Sequence, residues 1–451
     1  MRKHKFTKLK LAAALLVMVL PLILIAAVVR PKNEIIVHWN AVRQSIDGFG
    51  ASATGYTGRL TPVQADFFFT PEAGLGFSLL RLDAIADNSE GACGCVANNM
   101  PATCVRNSNS EIVSGDLEAA QLAAARGAKV VAAPWSPPAN MKSSGQFCSG
   151  SSMVGNAQNY AAYAEDLASF TALLRNHGVA LDALSIQNEP DITNPAYNTA
   201  TWQGQQVHDF VPYLAKALRS SGAENVKIAV PEESTWNFEL MKETMSDPAV
   251  ASTIGIVFGH AYASKTPPVL PSVDERHVWQ TEVSEPGKYD GSMSDALQWA
   301  QSIHEFLKAG VNAWMYWQLY CGPQYFNHDN NMCLTDAHDH LAKRAFAMGQ
   351  YSKFIRPGWK RVDVTNHGDL LVTAFRGPAN KFAVVVINKS WWPVWKQSFS
   401  SDGGLRWSSV TPWVTSGASS LAVQRPLAAS NGEIRYTLPA RSIVTFVGEG
   451  E

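Results

Sequence analysis

Between Asp47 and Phe354, eight short apolar runs recur with helical patterns between them, and this alternation limits the fold more than any other feature of the chain. The strand candidates are Gly48–Gly50, Phe77–Asp83, Val130–Pro134, Leu184–Glu189, Val226–Pro231, Ile256–Tyr262, His277–Glu282 and Ala313–Gln318. They show little apolar–polar alternation, which suits strands buried on both faces of a parallel sheet. Tyr160, Tyr163, Leu167, Phe170 and Leu174 recur at spacings of three and four and mark one helical face, with Gly178 as a C-cap. Met293, Leu297, Ala300, Ile303 and Leu307 repeat the pattern ahead of Gly310. Eight strand–helix units over roughly 300 residues predict an α/β fold, the (β/α)8 TIM barrel. A doubly wound sheet is disfavoured, because no Gly-x-Gly-x-x-Gly follows the first strand.

After Pro357-Gly358 the pattern changes to short strands, at Leu370–Phe375, Phe382–Ile387, Ile434–Leu438 and Ser442–Phe446. These predict a small β-sandwich side domain over 357–451, attached to a barrel over 47–356. Glu34–Val42 is also strand-like, so residues 31–46 are expected to supply a strand to that side domain.

Ahead of it, Arg2, Lys3, Lys5, Lys8 and Lys10 flank an uncharged run from Leu11 to Val29. Residues 1–30 therefore read as a signal peptide or a membrane anchor, with Ala26 and Ala27 as small residues for cleavage. Either way the basic flank places the rest of the chain outside the cytoplasm. The six cysteines, Cys93, Cys95, Cys104, Cys148, Cys321 and Cys333, agree with an oxidising compartment, and Cys321 with Cys333, which share one loop, are the expected pair. A net charge of −1 gives no basic excess for nucleic acid. The 14 Trp residues offer flat apolar faces that suit a sugar ring, against the plainer reading of core packing.

A TIM barrel places its chemistry at the C-terminal ends of its strands. The polar and aromatic residues there are Arg81 and Asp83, Trp135, Asn188 and Glu189, Glu232 and Glu233, His260 and Tyr262, Glu282, and Trp317 with Gln318. Paired carboxylates among aromatic platforms suit glycoside cleavage, where one carboxyl protonates the leaving oxygen and the other attacks or activates water. The two sharpest signals are Ser185-Ile186-Gln187-Asn188-Glu189-Pro190-Asp191 and, three strands later, Val278-Trp279-Gln280-Thr281-Glu282-Val283-Ser284. The competing reading of each is a strand end followed by a turn with solvated carboxylates, with Glu285 as a rival to Glu282.

At these residues the chain resembles the family-30 glycoside hydrolases, retaining enzymes on a (β/α)8 barrel. The stretches that carry the resemblance are Asp47-Gly48-Phe49-Gly50, Pro134-Trp135-Ser136-Pro137-Pro138, Asn159-Tyr160-Ala161-Ala162-Tyr163-Ala164, Gln187-Asn188-Glu189-Pro190-Asp191 and Trp279-Gln280-Thr281-Glu282-Val283. Phe354-Ile355-Arg356-Pro357-Gly358, Ile387-Asn388-Lys389-Ser390 and Leu438-Pro439-Ala440-Arg441-Ser442 continue it, so it runs from about residue 34 to residue 447. The resemblance implies Glu189 as acid/base and Glu282 as nucleophile. It implies Asn188 on the 2-hydroxyl of the attacked sugar, Arg81 and Tyr262 beside Glu282, and Trp135 and Trp317 as walls of the −1 subsite. The expected partner is a polysaccharide substrate, with no cofactor, metal or nucleic acid, and the chain is expected to be a monomer that meets a membrane only through an uncleaved N-terminal segment. Glu282 must be ionised to attack, and its charge keeps a proton on Glu189 until the glycosyl group neutralises it.

The resemblance is nearest to bacterial xylanase-type members, which implies β-1,4-xylan as substrate and endo action. Many of those hold a glucuronate branch with an Arg after the eighth strand and a Tyr pair after the nucleophile. Here the stretches read Trp317-Gln318-Leu319-Tyr320-Cys321-Gly322-Pro323 and Val283-Ser284-Glu285-Pro286, so glucuronate dependence is not expected. The Cys-bearing insertion from Asn88 to Ser110 is a second departure. A β-1,6-glucan or β-1,6-galactan is the alternative substrate within the family. Two readings of other classes stand beside it: a non-catalytic carbohydrate-binding protein, and a metal hydrolase using His328, His338 and His340 with Asp329, Asp336 and Asp339.

Overall fold

The computed structural model describes residues 34–54, 60–84, 115–147, 150–194, 198–263, 269–321, 330–336, 338–365 and 367–451. The N-terminal segment 1–30, the insertion 88–110, Cys148, His328 and Asp329 lie outside the described residues. The first described strand is β1 (Ile35–Ser45). Eight parallel strands follow: β2 (Gly48–Ser52), β3 (Leu79–Asp83), β4 (Lys129–Ala133), β5 (Leu181–Ser185), β6 (Lys227–Glu233), β7 (Ile254–His260), β8 (Val278–Glu282) and β9 (Ala313–Gln318). They close in sequence order, with β9 pairing back to β2, so every expected strand takes its place in one closed barrel.

The barrel interior is packed. Leu79, Val131, Ala183, Ala229, Ile256, Phe258, Trp279, Ala313 and Met315 form one buried cluster inside the ring. Phe258 and Trp279 stack there at 5.4 Å. Burying each large apolar side chain of this kind stabilises the fold by about 1.5–3 kcal/mol. Gly50 has a steric reason: a Cβ there would meet the Leu79 carbonyl of the neighbouring strand.

Around the ring run α1 (Pro62–Phe69), α2 (Gly115–Ala124), α3 (Ala157–Asn176), α4 (Gly204–Ser220), the short α5 (Lys242–Ser246) and α6 (Pro248–Ala251), α7 (Met293–Ala309) and α8 (Lys343–Ser352). Gly178 and Gly310 adopt positive φ at the ends of α3 and α7, as C-cap glycines do. The expectation of eight strand–helix units is corrected at one place: between β7 and β8 no helix occurs among the described residues. Pro267, Pro268 and Pro271 in that connection remove helical donors and clash with a helical backbone.

The side domain is one sheet rather than two separate ones. It contains β10 (Lys360–Thr365), β11 (Leu371–Arg376), β12 (Lys381–Asn388), β13 (Val394–Asp402), β14 (Trp407–Thr415), β15 (Ile434–Leu438) and β16 (Ser442–Gly450). The order is β14-β16-β12-β11-β10-β1-β13-β15, with two-residue strands added against β14. β1 sits between β10 and β13, antiparallel to the first and parallel to the second. The sheet curls until its arms face each other, because Phe399 on β13 and Phe446 on β16 meet at 5.0 Å although four strands separate them. The result encloses its own core of Ile35, Val37, Trp39, Phe382, Val384, Phe399, Trp407 and Phe446, which is how a sandwich buries apolar area. Gln350 of α8 ties the sheet to the barrel, donating to Thr415 Oγ1 at 2.8 Å and accepting from Thr445 through its carbonyl at 2.8 Å.

Candidate active site

The strand ends converge on one guanidinium. Arg81, the middle residue of β3, is fully buried. Its Nε donates to Glu232 Oε1 at 2.9 Å, its Nη1 to Glu282 Oε2 at 2.7 Å, and its Nη2 to Asn188 Oδ1 at 2.5 Å. Glu282 ends β8 and Glu232 lies at the end of β6, so three strands and the turn after β5 are bound to one fork. Burial opposes the charge on Arg81, but Glu232 and Glu282 outweigh it and hold its pKa above the usual guanidinium value.

Glu282 receives a second donor, Tyr262 Oη, at 2.8 Å. Tyr262 is 40% exposed, so it reaches the buried carboxylate from the mouth of the site. Burial pushes Glu282 above the usual carboxylate range, His260 and Arg81 pull it back, and the like charge of Glu189 adds to the rise. Glu232 moves the other way. Burial would raise it, but Arg81 and then His260 hold it below its ordinary value. Its Oε1 also accepts from Thr281 Oγ1 at 3.0 Å.

Glu189 does not lie on a strand. The expected run to Glu189 ends at Ser185, and Asn188 and Glu189 occupy the turn beyond. The Asn188 N–H donates to the Pro134 carbonyl at 2.8 Å, and the Glu189 N–H to the Glu232 carbonyl at 3.1 Å. Glu189 and Glu232 both adopt positive φ, 47° and 60°. This left-handed conformation is costly for residues bearing a Cβ, and such strain gathers at functional sites. Glu189 Oε1 lies 3.1 Å from His260 Nδ1. One carboxylate oxygen from each of Glu189 and Glu282 and one His260 nitrogen lie within 4.8 Å of one another.

His260 ends β7 and is fully buried among carboxylates. Burial would lower its pKa, but the charge of Glu282 and the bonds to Glu189 and Glu232 raise it to about 10. Positive charge in the site therefore comes from Arg81 and His260. The trio Glu189, His260 and Glu282 has metal-ligand spacing, but Arg81 already occupies a Glu282 oxygen, which disfavours a divalent ion there.

Trp135 follows β4, and Arg81 sits 4.7 Å from its ring centroid. Trp317 of β9 packs against it at 5.6 Å, and the pair forms one wall with Ala133. All seven residues expected at the site thus border one region, six through contacts to Arg81, to Glu282 or to each other and Glu189 through His260. Glu232 and His260 belong to it too, although the sequence reading placed them at strand ends without a role. Glu233 and Gln318 point elsewhere: Glu233 accepts from the Leu240 N–H at 3.4 Å, and Gln318 donates to Thr54 Oγ1 at 2.7 Å. Burial, reinforced by Asp191, raises Glu233 to about 8. Burial likewise raises Asp83 to about 7, against the pull of Arg81.

The second cluster weighed for a metal does not form a site among the described residues. Asp336 accepts the backbone N–H groups of His338 and His340, and its other oxygen faces His340 Nδ1 at 3.0 Å, which makes a local turn. Cys321 and Cys333 are joined as expected, with Cα atoms 5.7 Å apart.

A family model described as the glycosyl hydrolase family 30 TIM-barrel domain matches residues 108–355. The chain belongs to glycoside hydrolase family 30. It is a glycosidase, and relatives that match it along more than nine-tenths of its length are named as xylanases. Glucuronoxylanase XynC of Bacillus subtilis (strain 168) is 29% identical over 436 residues, covering 94% of this chain and 93% of that protein. The family 30 subfamily 8 xylanase Xyn30A of Clostridium acetobutylicum superposes with a TM-score of 0.77 at 29% identity, over 92% of this chain and all of that one. The endo-beta1,6-glucanase BT3312 shares the fold, with a TM-score of 0.69 at 18% identity over 92% of this chain and 94% of that one. Among the described residues, no helix is long and apolar enough to cross a membrane.

Proposed function

We propose that this family 30 glycosidase is a retaining hydrolase of β-1,4-xylan, acting by double displacement on chains that need carry no glucuronate. The observation that carries the mechanism is the spacing of Glu189 and Glu282, whose oxygens come within 4.8 Å. Retaining enzymes hold their carboxyls about 5–5.5 Å apart, and inverting ones leave room for a water between them.

Glu282 attacks the anomeric carbon through one oxygen while Arg81 and Tyr262 hold the carboxylate in line. Glu189 gives its proton to the departing glycosidic oxygen. The glycosyl ester then leaves Glu282 uncharged, Glu189 takes a proton from water, and the hydroxide equivalent breaks the ester from the same face. Arg81 fixes Asn188 through its Oδ1, which leaves the amide nitrogen to face the 2-hydroxyl of the sugar. Trp135 and Trp317 wall the −1 subsite.

Xylan is supported by the two relatives at 29% identity, which span more than nine-tenths of this chain. Independence from glucuronate rests on the stretch Trp317–Pro323, which holds no Arg or Lys to pair with a carboxylate. The basic flank, the apolar run 11–29 and the Cys321–Cys333 bridge support action outside the cytoplasm.

The test is product analysis of the full chain on glucuronoxylan, arabinoxylan, debranched xylan, a β-1,6-glucan and a β-1,6-galactan, with Glu282→Gln as control. Debranched xylan should be cut as readily as glucuronoxylan, with the β-anomer released first. Activity confined to glucuronoxylan would overturn the claim about the branch. Cleavage of a β-1,6-glycan alone would keep the mechanism and overturn the substrate, and binding without release would leave a carbohydrate-binding protein.

A further inference from the structure

Trp391, Trp392 and Trp395 are 73%, 77% and 74% exposed, while every other Trp in the chain is buried or half-buried. Single exposed apolar residues are ordinary, but three indoles within five residues make a patch that calls for an occupant. The segment reads Asn388-Lys389-Ser390-Trp391-Trp392-Pro393-Val394-Trp395-Lys396, at the junction of β12 and β13.

The backbone beneath the indoles is held by hydrogen bonds. Asn388 Nδ2 donates to the carbonyls of Trp392 and Pro439, at 3.1 and 2.8 Å. The Ser390 N–H donates back to Asn388 Oδ1 at 3.1 Å, and the Trp392 N–H to Ser390 Oγ at 3.0 Å. Lys396 adopts φ 48° where the pairing of β13 with β15 slips, so the strand bulges beside Trp395. The Arg441 guanidinium lies 4.2 Å from the Trp391 ring centroid and covers one face of the indole.

The patch also has a defined place relative to the cleft. Arg441 Nη2 donates to Ser294 Oγ at 2.6 Å, and Lys389 Nζ to Gln301 Oε1 at 2.6 Å. Both acceptors lie on α7, the helix that follows the strand of Glu282. Ser294 is in its first turn, and barrel helices begin on the side where the strands end. The indoles are thus anchored beside the catalytic rim.

We propose that Trp391, Trp392 and Trp395 form a second glycan-binding platform, outside the cleft, that holds the polymeric β-linked substrate. A β-linked pyranose chain presents flat faces of C–H groups with its hydroxyls at the edges, which matches exposed indole faces. Indoles also serve at lipid interfaces, but there they ride on the apolar face of an amphipathic helix, whereas these three stand at a strand junction whose backbone is pinned by hydrogen bonds, on a polysaccharide hydrolase. The proposal rests on the polysaccharide reading above and adds a site to it.

The test compares the full chain with the triple variant Trp391→Ala, Trp392→Ala, Trp395→Ala, both also in a Glu282→Gln background. Affinity electrophoresis through gels containing xylan or a β-1,6-glucan reads polymer binding, and hydrolysis of a xylohexaose reads the cleft alone. The triple variant should lose about tenfold in polymer affinity and in release from insoluble xylan, with xylohexaose hydrolysis unchanged. Unchanged retardation overturns the proposal, and so does an equal loss on xylohexaose. A loss of binding to anionic vesicles, or of self-association in light scattering, with polymer affinity intact also overturns it. Retardation by the β-1,6-glucan alone, removed by the triple variant, supports the platform and overturns only the xylan reading.

Discussion

Arg81 is a buried hub whose charge is shared between two carboxylates, Glu232 and the nucleophile of the proposed mechanism, Glu282. The second donor to Glu282 has a pH signature. The Tyr262 hydroxyl favours the ionised carboxylate, so Tyr262→Phe raises the Glu282 pKa further. Activity needs Glu282 ionised, so the acid limb of kcat/KM should move to higher pH in the variant, with a loss of about tenfold on that limb. A limb that stays in place, measured from pH 4 to 8, would contradict this role. Glu189 and Glu282 were legible in the sequence because each follows an apolar run that must end at the barrel mouth. His260 and Glu232 sit at equivalent positions, but which way a strand-end side chain turns depends on register with its neighbours. Glu232 turns inward while Glu233 turns to Leu240, and nothing local in Pro231-Glu232-Glu233 distinguishes them.

At the scale of elements, the rim after β9 is closed by Cys321–Cys333, which bridges the strand end to the segment ahead of α8. The cysteines are 12 residues apart, and closing a loop of that size stabilises by about 3 kcal/mol. The double variant Cys321→Ser, Cys333→Ser should lose about that much in denaturant unfolding without reductant. Equal stability of oxidised wild type and variant would refute the estimate. The barrel strands were readable because both their faces are buried, so their composition is uniformly apolar. Eight strands alone do not imply eight helices: among the described residues no helix joins β7 to β8, and prolines crowd that connection.

For the whole molecule, barrel and curled sheet share a wall through Gln350, Thr415 and Thr445. β1 begins the described chain and completes the sheet, packing Trp39 against Phe382 at 5.4 Å and Trp407 at 6.3 Å. Trp39→Ala should cost about 3–5 kcal/mol. Because the two parts share a wall, catalytic activity and the sheet should be lost in one thermal transition at a lower temperature. Separate transitions by activity and near-UV circular dichroism would show that the parts unfold independently. Half of the sheet escaped the sequence reading for physical reasons. β14 carries Pro412 opposite Phe446, and β13 bulges at Lys396, so neither strand shows clean alternation.

The central claim is that Glu282 carries the glycosyl group, and trapping that ester tests it most directly. The full chain would be inactivated with a 2-deoxy-2-fluoro-β-xylobioside bearing a good leaving group, digested, and its peptides weighed. The account predicts one fluoroglycosyl adduct, on the peptide containing Glu282 and absent from Glu282→Gln. An adduct on Glu189 or Glu232, or turnover of xylan with inversion and no adduct, would contradict it.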